Sequence, residues 1–493
     1  MKRINRRTFL AGSVTAGASL AMSGCNTQPA PFSDVRGANE DIRLAVVGMG
    51  STIKIGGRGK QHIREFRELE GVRVVALCDP DSDILNEQVK KFHERSEKVD
   101  AYADIRKLLE DKNIDAISVV TPNHWHALAT IWGCQAGKDV YVEKPVSYNI
   151  REGRKMVEAA RKYKRIVQTG LGSRASKALA EAFQYIRQGN LGKILVARGF
   201  CHKRRQSIGK VNGPQPIPKS IDYNLWCGPA PTEPLMRKYL HYDWHWIWTT
   251  GNGDIGNQGV HQMDICRWAL GESKMAPRVM SIGGRFGYVD DGQTPNTQII
   301  ILDYKPVPII FEVRGLPESK ADSKLPTYRG IRVGVVIQCE GGYIADGASK
   351  VLAYDNNDKV IKQFEGSGNN YANFIEVLRS RKVSDQYTDI LDGHISTALC
   401  HMGNISHRIG AERKPGQIKE AIRGDKNSLE VFERFEEHLA ANEIDLGKTP
   451  AILGPMLKMD TRRERFVEGH GLDRANELLS RKYRKGFVVP EKV

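Results

Sequence analysis

A short apolar run that ends in glycines is the first feature of this sequence that could do chemistry. Residues 42–47 precede Gly48 and Gly50, and a second apolar run, residues 72–78, ends at Asp79. Such runs are typical of strands buried on both faces of a parallel sheet. Glycines at the strand end permit a sharp turn and the close approach of a phosphate, and the acid can bind ribose hydroxyls. The pattern predicts a dinucleotide site; the alternative is an ordinary strand-to-helix turn.

The spacing of this turn departs from the G-x-G-x-x-G pattern of dinucleotide-binding turns. Residues 51–56 separate Gly50 from Gly57, and Gly59 follows two residues later. We therefore expect an insertion in the turn, with Gly57 or Gly59 opening the next helix, and we predict cofactor contact for all four glycines. A carboxylate at the end of the second strand repels a 2′-phosphate, so NAD is favoured over NADP.

Lys144 and His261 could act together on a hydroxyl group. Lys144 follows the strand-like run 139–142 within Glu143-Lys144-Pro145. At the carboxyl edge of a sheet its ammonium group could stabilise an alkoxide that develops as hydride leaves carbon. His261 begins an apolar helix, and imidazole is the natural base for alcohol oxidation near neutral pH. The alternatives are a surface lysine and a histidine that is buried at a helix start.

The ordered set of motifs resembles the Gfo/Idh/MocA oxidoreductases, the family named after glucose-fructose oxidoreductase and inositol dehydrogenase. The resemblance covers residues 41 to about 411. Its motifs are Gly48-x-Gly50, Asp79, Thr121-Pro122-Asn123-His124, Glu143-Lys144-Pro145 and Gly259-Val260-His261-x-x-Asp264.

The resemblance implies a role for each motif. The segment 121–124, Glu143 and Lys144 are expected to contact the cofactor. Lys144 is also the expected catalytic lysine, and its proline is expected to be cis. The family carries an aspartate four residues before the catalytic histidine, where this chain has Asn257. An amide cannot act as a base but can hydrogen-bond a sugar hydroxyl. His261 is therefore expected to act alone or to pair with Asp264 or Asp254.

Aromatic residues are concentrated just before His261, between Tyr239 and Trp248. Aromatic faces stack on sugar rings while polar edges reach the hydroxyls. We predict a small carbohydrate substrate bound by Asn257, Asp264, Trp244 and Trp246. The alternative is a hydrophobic plug that packs the loop onto the sheet.

The elements that position these residues fall into two arrangements. Alternating strand and helix patterns predict an α/β Rossmann domain with a doubly wound parallel sheet over residues 41–170. Consecutive strand patterns between 278 and 364 predict an α+β domain, residues 171–411, with a large, mainly antiparallel sheet. An exposed face of that sheet favours a homo-oligomer. Residues 412–493 are polar and form a predicted C-terminal extension with a helix at 425–441.

Composition narrows the classes of protein. The 493 residues are 40% hydrophobic and 27% charged, the balance of a globular protein of two or more domains. The net charge is +16, but the basic residues are dispersed and no nucleic-acid motif is present, so no nucleic-acid partner is predicted. The eight cysteines form no CxxC pair, which favours buried free thiols, and no metal site is predicted.

The N-terminal 25 residues have the pattern of an export signal. Arg6-Arg7 precede an apolar stretch, which resembles a Tat signal, and Met22-Ser23-Gly24-Cys25 resembles a lipobox. Residues 26–40 are predicted to be a tether. We expect a periplasmic or lipid-anchored protein whose only membrane contact is the signal or the lipid.

Outside the cytoplasm free NAD is scarce, which favours a tightly bound cofactor used and regenerated within one site. The sequence therefore predicts an NAD-dependent oxidoreductase acting on a sugar, polyol or glycoside. Coupled oxidation and reduction of two sugars and redox-assisted glycoside cleavage both fit. The competing hypotheses are a non-catalytic glycan-binding lipoprotein and a nucleic-acid-binding protein with strongly salt-dependent retention.

Overall fold

The computed structural model describes residues 41–51, 56–347 and 350–493. The predicted export signal, the lipidation site at Cys25 and the tether lie outside these residues. So does the stretch 52–55 of the turn after the first strand.

A parallel sheet forms the N-terminal part of the described chain. Its strands are β1 (Ile42–Val47), β2 (Val72–Cys78), β3 (Asp100–Tyr102), β4 (Ala116–Val119), β5 (Asp139–Val142) and β6 (Val167–Thr169). The connecting helices are α1 (Arg58–Arg67), α2 (Ser82–His93), α3 (Ile105–Glu110), α4 (Asn123–Gln135) and α5 (Ile150–Lys162). The strand order is β3-β2-β1-β4-β5-β6, so the winding reverses between β1 and β4. In such sheets ligands bind beyond the carboxyl ends of the strands at this reversal.

Local sequence explains where these helices begin. The Asp81 carboxylate accepts the Asp83 N–H at the start of α2, and the Asn149 side chain accepts the Glu152 N–H at the start of α5. Each side-chain cap satisfies a backbone donor that the helix leaves free and contributes about 1 kcal/mol. The apolar strands are buried on both faces by the helices, which leaves the strand ends to build a site.

The second sheet has twelve strands within the described residues. They are β7 (Ile194–His202), β8 (Arg278–Gly284), β9 (Thr297–Leu302), β10 (Ile309–Arg314), β11 (Val333–Cys339), β12 (Gly342–Gly347), β13 (Lys350–Tyr354), β14 (Val360–Phe364), β15 (Ala411–Arg413), β16 (Ala451–Leu453), β17 (Leu457–Asp460) and β18 (Arg465–Glu468). The remaining helices are α6 (Lys177–Arg187), α7 (Tyr223–Cys227), α8 (Val260–Leu270), α9 (Asn370–Ser380), α10 (Ile390–Arg408), α11 (Pro415–Ile422), α12 (Lys426–Ala441) and α13 (Leu472–Glu477). All strand pairs of this sheet are antiparallel except β7 with β10.

Helices pack on both faces of the second sheet. Along β9, Ile300 belongs to a core with α6, α8 and α10, whereas Ile299 and Ile301 belong to a core with α11 and α12. This alternation is the two-residue period of a strand that is buried on both faces. The face that favoured a homo-oligomer is therefore covered, over this region, by the chain's own C-terminal helices. A homo-oligomer is still predicted, but an exposed face of this sheet no longer supports it.

The structure confirms the predicted fold class, a parallel Rossmann sheet followed by a large, mostly antiparallel sheet. The sequence did not predict β3, α3, β12 or β14, and it set the residues after 411 apart although β15, β16 and β17 join the second sheet. β3 and α3 are too short to show a clear period, and β12 and β14 contain glycine or charged residues that weaken the apolar pattern of a strand.

Among the described helices, none combines the length and apolar character that a membrane span requires. The seven described cysteines are buried as free thiols. Burial in apolar surroundings raises the pKa of Cys134 to about 12, which makes this thiol a weak nucleophile near neutral pH.

Candidate active site

A cavity of about 610 Å³ lies at the carboxyl edge of the first sheet, where the winding reverses. Its walls come from the turn after β1, the ends of β2, β4 and β5, the segment before α8, and the long connection between β7 and α8. This volume is typical of a site for a small molecule or cofactor.

Two glycines allow the turn after β1 to line the cavity. Gly48 has φ +92°, and a Cβ there would lie 2.8 Å from the backbone carbonyl of Val120. Gly50 has φ +110°, and a Cβ there would lie 2.4 Å from the Gly56 oxygen. Neither position accepts a side chain, so bare backbone faces the cavity, as a pyrophosphate requires.

The other two glycines differ in their surroundings. Gly57 lines the cavity and is the N-cap of α1, so the positive end of the helix dipole faces the same space. Gly59 does not line the cavity, because it packs against the turn: a Cβ there would lie 1.9 Å from the Gly48 oxygen. The predicted cofactor contact of Gly59 is therefore corrected to a packing role that holds α1 against the glycine turn.

Asp79 lies at the end of β2 and lines the cavity, as predicted. Its carboxylate accepts the Met49 N–H at 2.7 Å and the Asp81 N–H at 3.0 Å. Burial raises the pKa of this carboxyl to about 6, against the lowering effect of these two hydrogen bonds. Asp79 therefore fixes the turn as well as facing the ribose region.

We expect the preference for NAD over NADP to depend on the charge of Asp79. Because its pKa is raised to about 6, the carboxylate is present at pH 7.5 and is lost as the pH falls through that value. NAD affinity should fall on acidification. Asp79→Asn should remove this dependence and reduce the NAD to NADP preference about tenfold, the size of one charged hydrogen bond. Titration of nucleotide-depleted protein with each nucleotide at several pH values measures both effects.

Asp104 supplies the control for this prediction, because it lines the same cavity but pairs with Arg106 and caps α3. Asp104→Asn keeps a good cap and should leave the nucleotide preference unchanged. An unchanged preference in Asp79→Asn would mean that Asp79 does not contact the ribose.

The segment after β4 fits a bound nucleotide in part. Thr121, Pro122 and Asn123 line the cavity, and the Thr121 Oγ1 atom is buried without a hydrogen-bond partner among the described residues. An orphaned hydroxyl in a cavity wall fits a polar ligand. Asn123 donates to the Asn252 side chain at 3.0 Å, which fixes its orientation.

His124 is a correction to the predicted cofactor contacts. Its ring does not line the cavity; Nε2 lies 3.0 Å from the Trp226 oxygen and Nδ1 faces the Thr250 oxygen. His126 lines the cavity instead, with its ring nitrogens 2.7 Å from the oxygens of Pro145 and Thr121. Both rings are bound to backbone oxygens, so each histidine holds segments in place.

Lys144 lies at the cavity wall with its ammonium group anchored. Its Nζ donates to the Asn257 backbone oxygen at 2.7 Å, and the Lys144–Pro145 peptide bond is cis, as the resemblance implies. Burial lowers the pKa of Lys144, and the adjacent Glu143 carboxylate acts against this effect.

Glu143 carries negative charge beneath the lysine. Its carboxylate accepts the Arg58 Nε–H at 2.8 Å, lies 2.9 Å from His62 Nε2, and accepts the Lys144 N–H at 3.1 Å. These contacts, against the opposing effect of burial, hold the pKa of Glu143 well below its usual range. The carboxylate thus supports the charge of Lys144.

Glu143→Gln should shift the alkaline limb of the pH profile of kcat/KM to lower pH. A lysine whose pKa is lowered loses its charge as the pH rises through that value, and removal of the carboxylate lowers the pKa further. One opposite charge at this range is worth about one pH unit or more. The pH profile measures the shift; Glu65→Gln on α1, whose carboxylate binds Arg64 and Gln61, is the control. An unshifted limb in Glu143→Gln would exclude this electrostatic role.

His261 and Asn257 both line the cavity beside Lys144. Burial, with the nearby Lys144 charge, lowers the pKa of His261 to about 3, so the imidazole is neutral at physiological pH and can accept a hydrogen bond from a hydroxyl group. Asn257 lies in a π-helical turn, Ile255–Gly259, just before α8. It contributes its backbone oxygen to Lys144, which an aspartate could do equally well.

Neither candidate carboxylate pairs with His261. Asp264 is fully buried, and its carboxylate accepts hydrogen bonds from the Arg174 guanidinium at 2.8 Å and from the Ser396 hydroxyl at 2.7 Å. Asp254 is equally buried and is bound by Arg205 at 2.6 Å. The predicted substrate contact of Asp264 is therefore corrected to an ion pair that holds α8.

The two tryptophans predicted to bind substrate occupy different environments. Trp244 lines the cavity, with its ring stacked on His245 at a centroid distance of 3.6 Å. Trp246 is buried outside the cavity wall, against Ile208 and Ile247 and beneath the Arg205 guanidinium. Trp246 therefore serves as the hydrophobic plug that was the alternative, and its predicted substrate contact is corrected.

A segment that we call the strap, residues 217–250, crosses the cavity from the second sheet to the first. It is tied to the Rossmann domain by backbone hydrogen bonds at both sides of Asp81 and by His241, whose Nε2 lies 2.9 Å from the Asp81 carboxylate. The Trp125 indole donates to the strap oxygens of Leu225 and Trp226. The strap closes one side of the cavity over the end of β2.

Sequence reasoning did not identify several residues of the cavity wall. They are Arg58, Gln61, His126, Trp226, His241, Tyr242 and His245. The glycines around Arg58 and the aromatic density around Tyr242 are local patterns that could have indicated two of them. The rest depend on the path of the strap. The Tyr242 hydroxyl accepts Arg205 at 3.0 Å, which places a phenol and a guanidinium beside the cavity.

Family models match the two parts of the chain. Residues 42–171 match a model described as an oxidoreductase family, NAD-binding Rossmann fold. Residues 189–305 match one described as an oxidoreductase family, C-terminal alpha/beta domain. Both carry the designation GFO_IDH_MocA.

The curated relatives include glycoside hydrolases. The chain is 26% identical over 226 residues to the alpha-N-acetylgalactosaminidase of Shewanella oneidensis, covering 43% of this chain and 49% of the relative. It has the same identity and coverage with a glycosyl hydrolase family 109 protein of Shewanella sp. strain ANA-3. The chain thus spans about half the length of the curated relatives it matches.

Solved structures share the fold. The WlbA dehydrogenase of Bordetella pertussis, in complex with NADH and UDP-GlcNAcA, matches with a TM-score of 0.54 and 18% identity, covering 75% of this chain and 97% of that one. A putative NADPH-dependent oxidoreductase of Desulfitobacterium hafniense matches with a TM-score of 0.56 and 13% identity, covering 74% and 95%.

Proposed function

The chain belongs to the Gfo/Idh/MocA oxidoreductase family, and from this premise we propose that it oxidises a hydroxyl group of a sugar, polyol or glycoside with a tightly held NAD. The observation that carries the proposal is the convergence of Lys144 and His261 on one cavity behind the glycine turn. Bound NAD would supply a hydride acceptor, held by the turn at Gly48 and Gly50, by Asp79 and by Thr121.

The chain's own residues divide the work on the hydroxyl. The Lys144 ammonium, anchored on the Asn257 oxygen, binds the hydroxyl oxygen and stabilises the negative charge that develops on it. The neutral His261 accepts the proton; burial and the Lys144 charge oppose protonation of the free ring, and the negative charge that develops on the substrate oxygen offsets them. The Asn257 amide and the Trp244 ring orient the sugar, because both face the same space.

The strap supports retention of the nucleotide between turnovers. It covers one side of the cavity and is fastened to the Rossmann domain at Asp81 and Trp125. Release of a ligand from beneath such a segment requires these contacts to break, which slows exchange. Retained NAD favours chemistry in which oxidation and reduction are completed within one site.

Redox-assisted glycoside cleavage is a second candidate. The strap and the glycosidase activity of a curated relative, the alpha-N-acetylgalactosaminidase, favour it. In this chemistry the C3 hydroxyl is oxidised transiently and the C2 proton becomes acidic. The aglycone then leaves by elimination, and addition of water and re-reduction complete the cycle. Lys144 and His261 would serve the oxidation step as above.

A panel of aryl glycosides and free sugars tests the two candidates together. The purified protein, without added nucleotide, is assayed in parallel for released aglycone and for reduced nicotinamide. Sugar oxidation predicts reduced nicotinamide that a second carbonyl sugar reoxidises. Glycoside cleavage predicts aglycone release with no net reduction and with solvent deuterium at C2 of the product. If the protein released no aglycone, reduced no nicotinamide and contained no nucleotide after denaturation, both candidates would be contradicted. The glycan-binding hypothesis would then remain.

We also propose export by the Tat pathway to the periplasm or to a lipid anchor at Cys25. The twin arginines and the lipobox-like residues of the N-terminus support this proposal. Arg6→Lys with Arg7→Lys should retain the protein in the cytoplasm, as cell fractionation would show. Unchanged export would contradict the Tat route, and Cys25→Ser separates the anchor from the export.

A further inference from the structure

A second cavity of about 610 Å³ lies between α10 and the C-terminal segment that follows α13. Its wall is completed by Tyr148 and Asn149, which follow the cis proline, and by Trp248 and Asn252 of the segment before α8. None of these residues lines the first cavity, so the two spaces are separate.

The wall of the second cavity carries an excess of positive charge. Arg408, Arg474, Arg481 and Lys482 line it, and Glu477 is the one carboxylate among its described lining residues. Glu477 is already paired with Arg474 at 2.7 Å. Within the described chain, no carboxylate lies at ion-pair distance from Arg408 or Arg481. Burial lowers the pKa of Arg408; Tyr148 acts against this effect, and the nearby Arg474 and Arg481 charges add to it.

Both unpaired arginines are held in place by aromatic rings. The Arg481 guanidinium lies 4.2 Å from the ring centre of Tyr148 and donates to the Thr249 oxygen at 2.9 Å. The Arg408 guanidinium lies 5.0 Å from the ring centre of Trp248. Rings that position guanidinium groups without neutralising them leave their charge available to a ligand.

Two buried polar atoms at this cavity lack partners. The Nη1 atom of Arg481 and the Oδ1 atom of Asn404 are buried, and neither has a hydrogen-bond partner among the described residues. Asn404 is 4% exposed, and its amide nitrogen is held by the Asn252 oxygen. The Arg481 charge acts on the Glu152 carboxyl, which is hydrogen-bonded by Asn149 and Tyr483 and lies beyond ion-pair distance. A buried donor and a buried acceptor are therefore left for a bound molecule.

We propose that the second cavity binds a small organic anion, a sugar or similar hydroxylated molecule that carries a carboxylate, sulfate or phosphate group. Arg408 and Arg481 would bind the anionic group by charged hydrogen bonds, and Asn404 Oδ1 would accept a hydroxyl of the ligand. The volume exceeds what a bare ion fills and is typical of a small organic ligand.

The second cavity is connected to the first through Asn252. This residue lines the second cavity and accepts the Asn123 side chain of the first at 3.0 Å. Occupancy should therefore stabilise the segment between Trp244 and Asn252. The binding proposal itself stands on the second cavity alone and does not depend on the proposed catalytic function.

Calorimetric titration of the NAD-saturated full-length protein tests the proposal. The probes are glucuronate, glucose 6-phosphate, glucose 6-sulfate, inorganic sulfate and neutral glucose, all at one chloride-adjusted ionic strength. At least one sugar anion should bind more tightly than both sulfate and glucose. Arg408→Gln and Arg481→Gln should each weaken this binding about tenfold or more, whereas the exposed Arg463→Gln should not.

Three outcomes would overturn the proposal. In the first, the wild type and Arg408→Gln bind the sugar anions equally well. In the second, the wild type binds the sugar anions no more tightly than sulfate, and in the third no more tightly than glucose. Thermal melting of each variant without ligand identifies a variant that fails to fold. Because Arg408 makes fewer backbone contacts than Arg481, its variant keeps the test valid if Arg481→Gln is unstable.

Discussion

Lys144→Ala is expected to reduce turnover by about a thousandfold while NAD stays bound. The Lys144 ammonium group donates a hydrogen bond to the Asn257 backbone oxygen at the cavity wall, where His261 also lies. Removal of one preorganised donor to a developing oxyanion costs about a hundredfold to a thousandfold in other enzymes, and here the donor is also charged. In the proposed site the nucleotide is held mainly by the glycine turn and Asp79, which Lys144→Ala does not change.

Two measurements on each preparation separate catalysis from binding. Turnover is measured on the best substrate of the glycoside and sugar panel, and bound nucleotide is measured after heat denaturation. Lys60→Ala, on the exposed side of α1 and paired with Glu87, controls for the loss of a lysine from the same domain. Full activity of Lys144→Ala would remove this residue from the mechanism. Loss of activity together with loss of nucleotide would assign it to cofactor binding instead.

Sequence reasoning located the residues of the first sheet because its motifs are local. Gly48 and Gly50 directly follow an apolar strand, and Asp79 directly follows the next strand. Parallel strands end at one edge, so strand-end residues meet without any knowledge of distant contacts. Lys144 and Thr121 followed from the same rule, and the structure places both in the wall of the cavity.

The partners of charged residues could not be predicted in the same way. Asp264 lies three residues after His261 and is one of the two carboxylates expected to pair with that histidine. Its carboxylate is bound instead by Arg174, ninety positions away in sequence, and by Ser396 of α10. Nothing in the local pattern distinguishes a free carboxylate from a paired one. The same holds for Asp254 and its partner Arg205.

The backbone of the segment before α8 was also beyond prediction. The sequence predicted a role for the Asn257 side chain, which stands where the family has an aspartate. In the structure the backbone oxygen of Asn257 makes the contact with Lys144. The π-helical turn that holds Asn257 has no sequence pattern of its own. The second cavity was equally hidden, because Tyr148, Asn404 and Arg481 meet only in the folded chain.

Gly59→Ala is expected to lower the free energy of unfolding by about 3 kcal/mol and to abolish NAD binding. A Cβ at Gly59 would lie 1.9 Å from the Gly48 oxygen and 2.8 Å from the Met49 Cα, and both obstacles are backbone atoms. Overpacking of a fixed site costs about 1–3 kcal/mol or more, because backbone cannot move away as a flexible side chain can. Relief of the clash would move α1 away from the glycine turn, which is the proposed binding site of the pyrophosphate.

Gly57→Ala is the matched control for this substitution, in the same turn and of the same chemistry. Gly57 has φ −125°, and a Cβ there meets no atom of the described residues within 4 Å, so alanine should cost less than about 1 kcal/mol. Thermal melting of both nucleotide-free variants compares their stability, and titration with NAD compares their affinity for the cofactor. If Gly59→Ala melted and bound NAD like Gly57→Ala, the contact between α1 and the glycine turn would not be what shapes the cofactor site. Gly57→Ala is a control for stability alone, because Gly57 lines the cavity; reduced NAD affinity with unchanged melting would place the nucleotide against this residue.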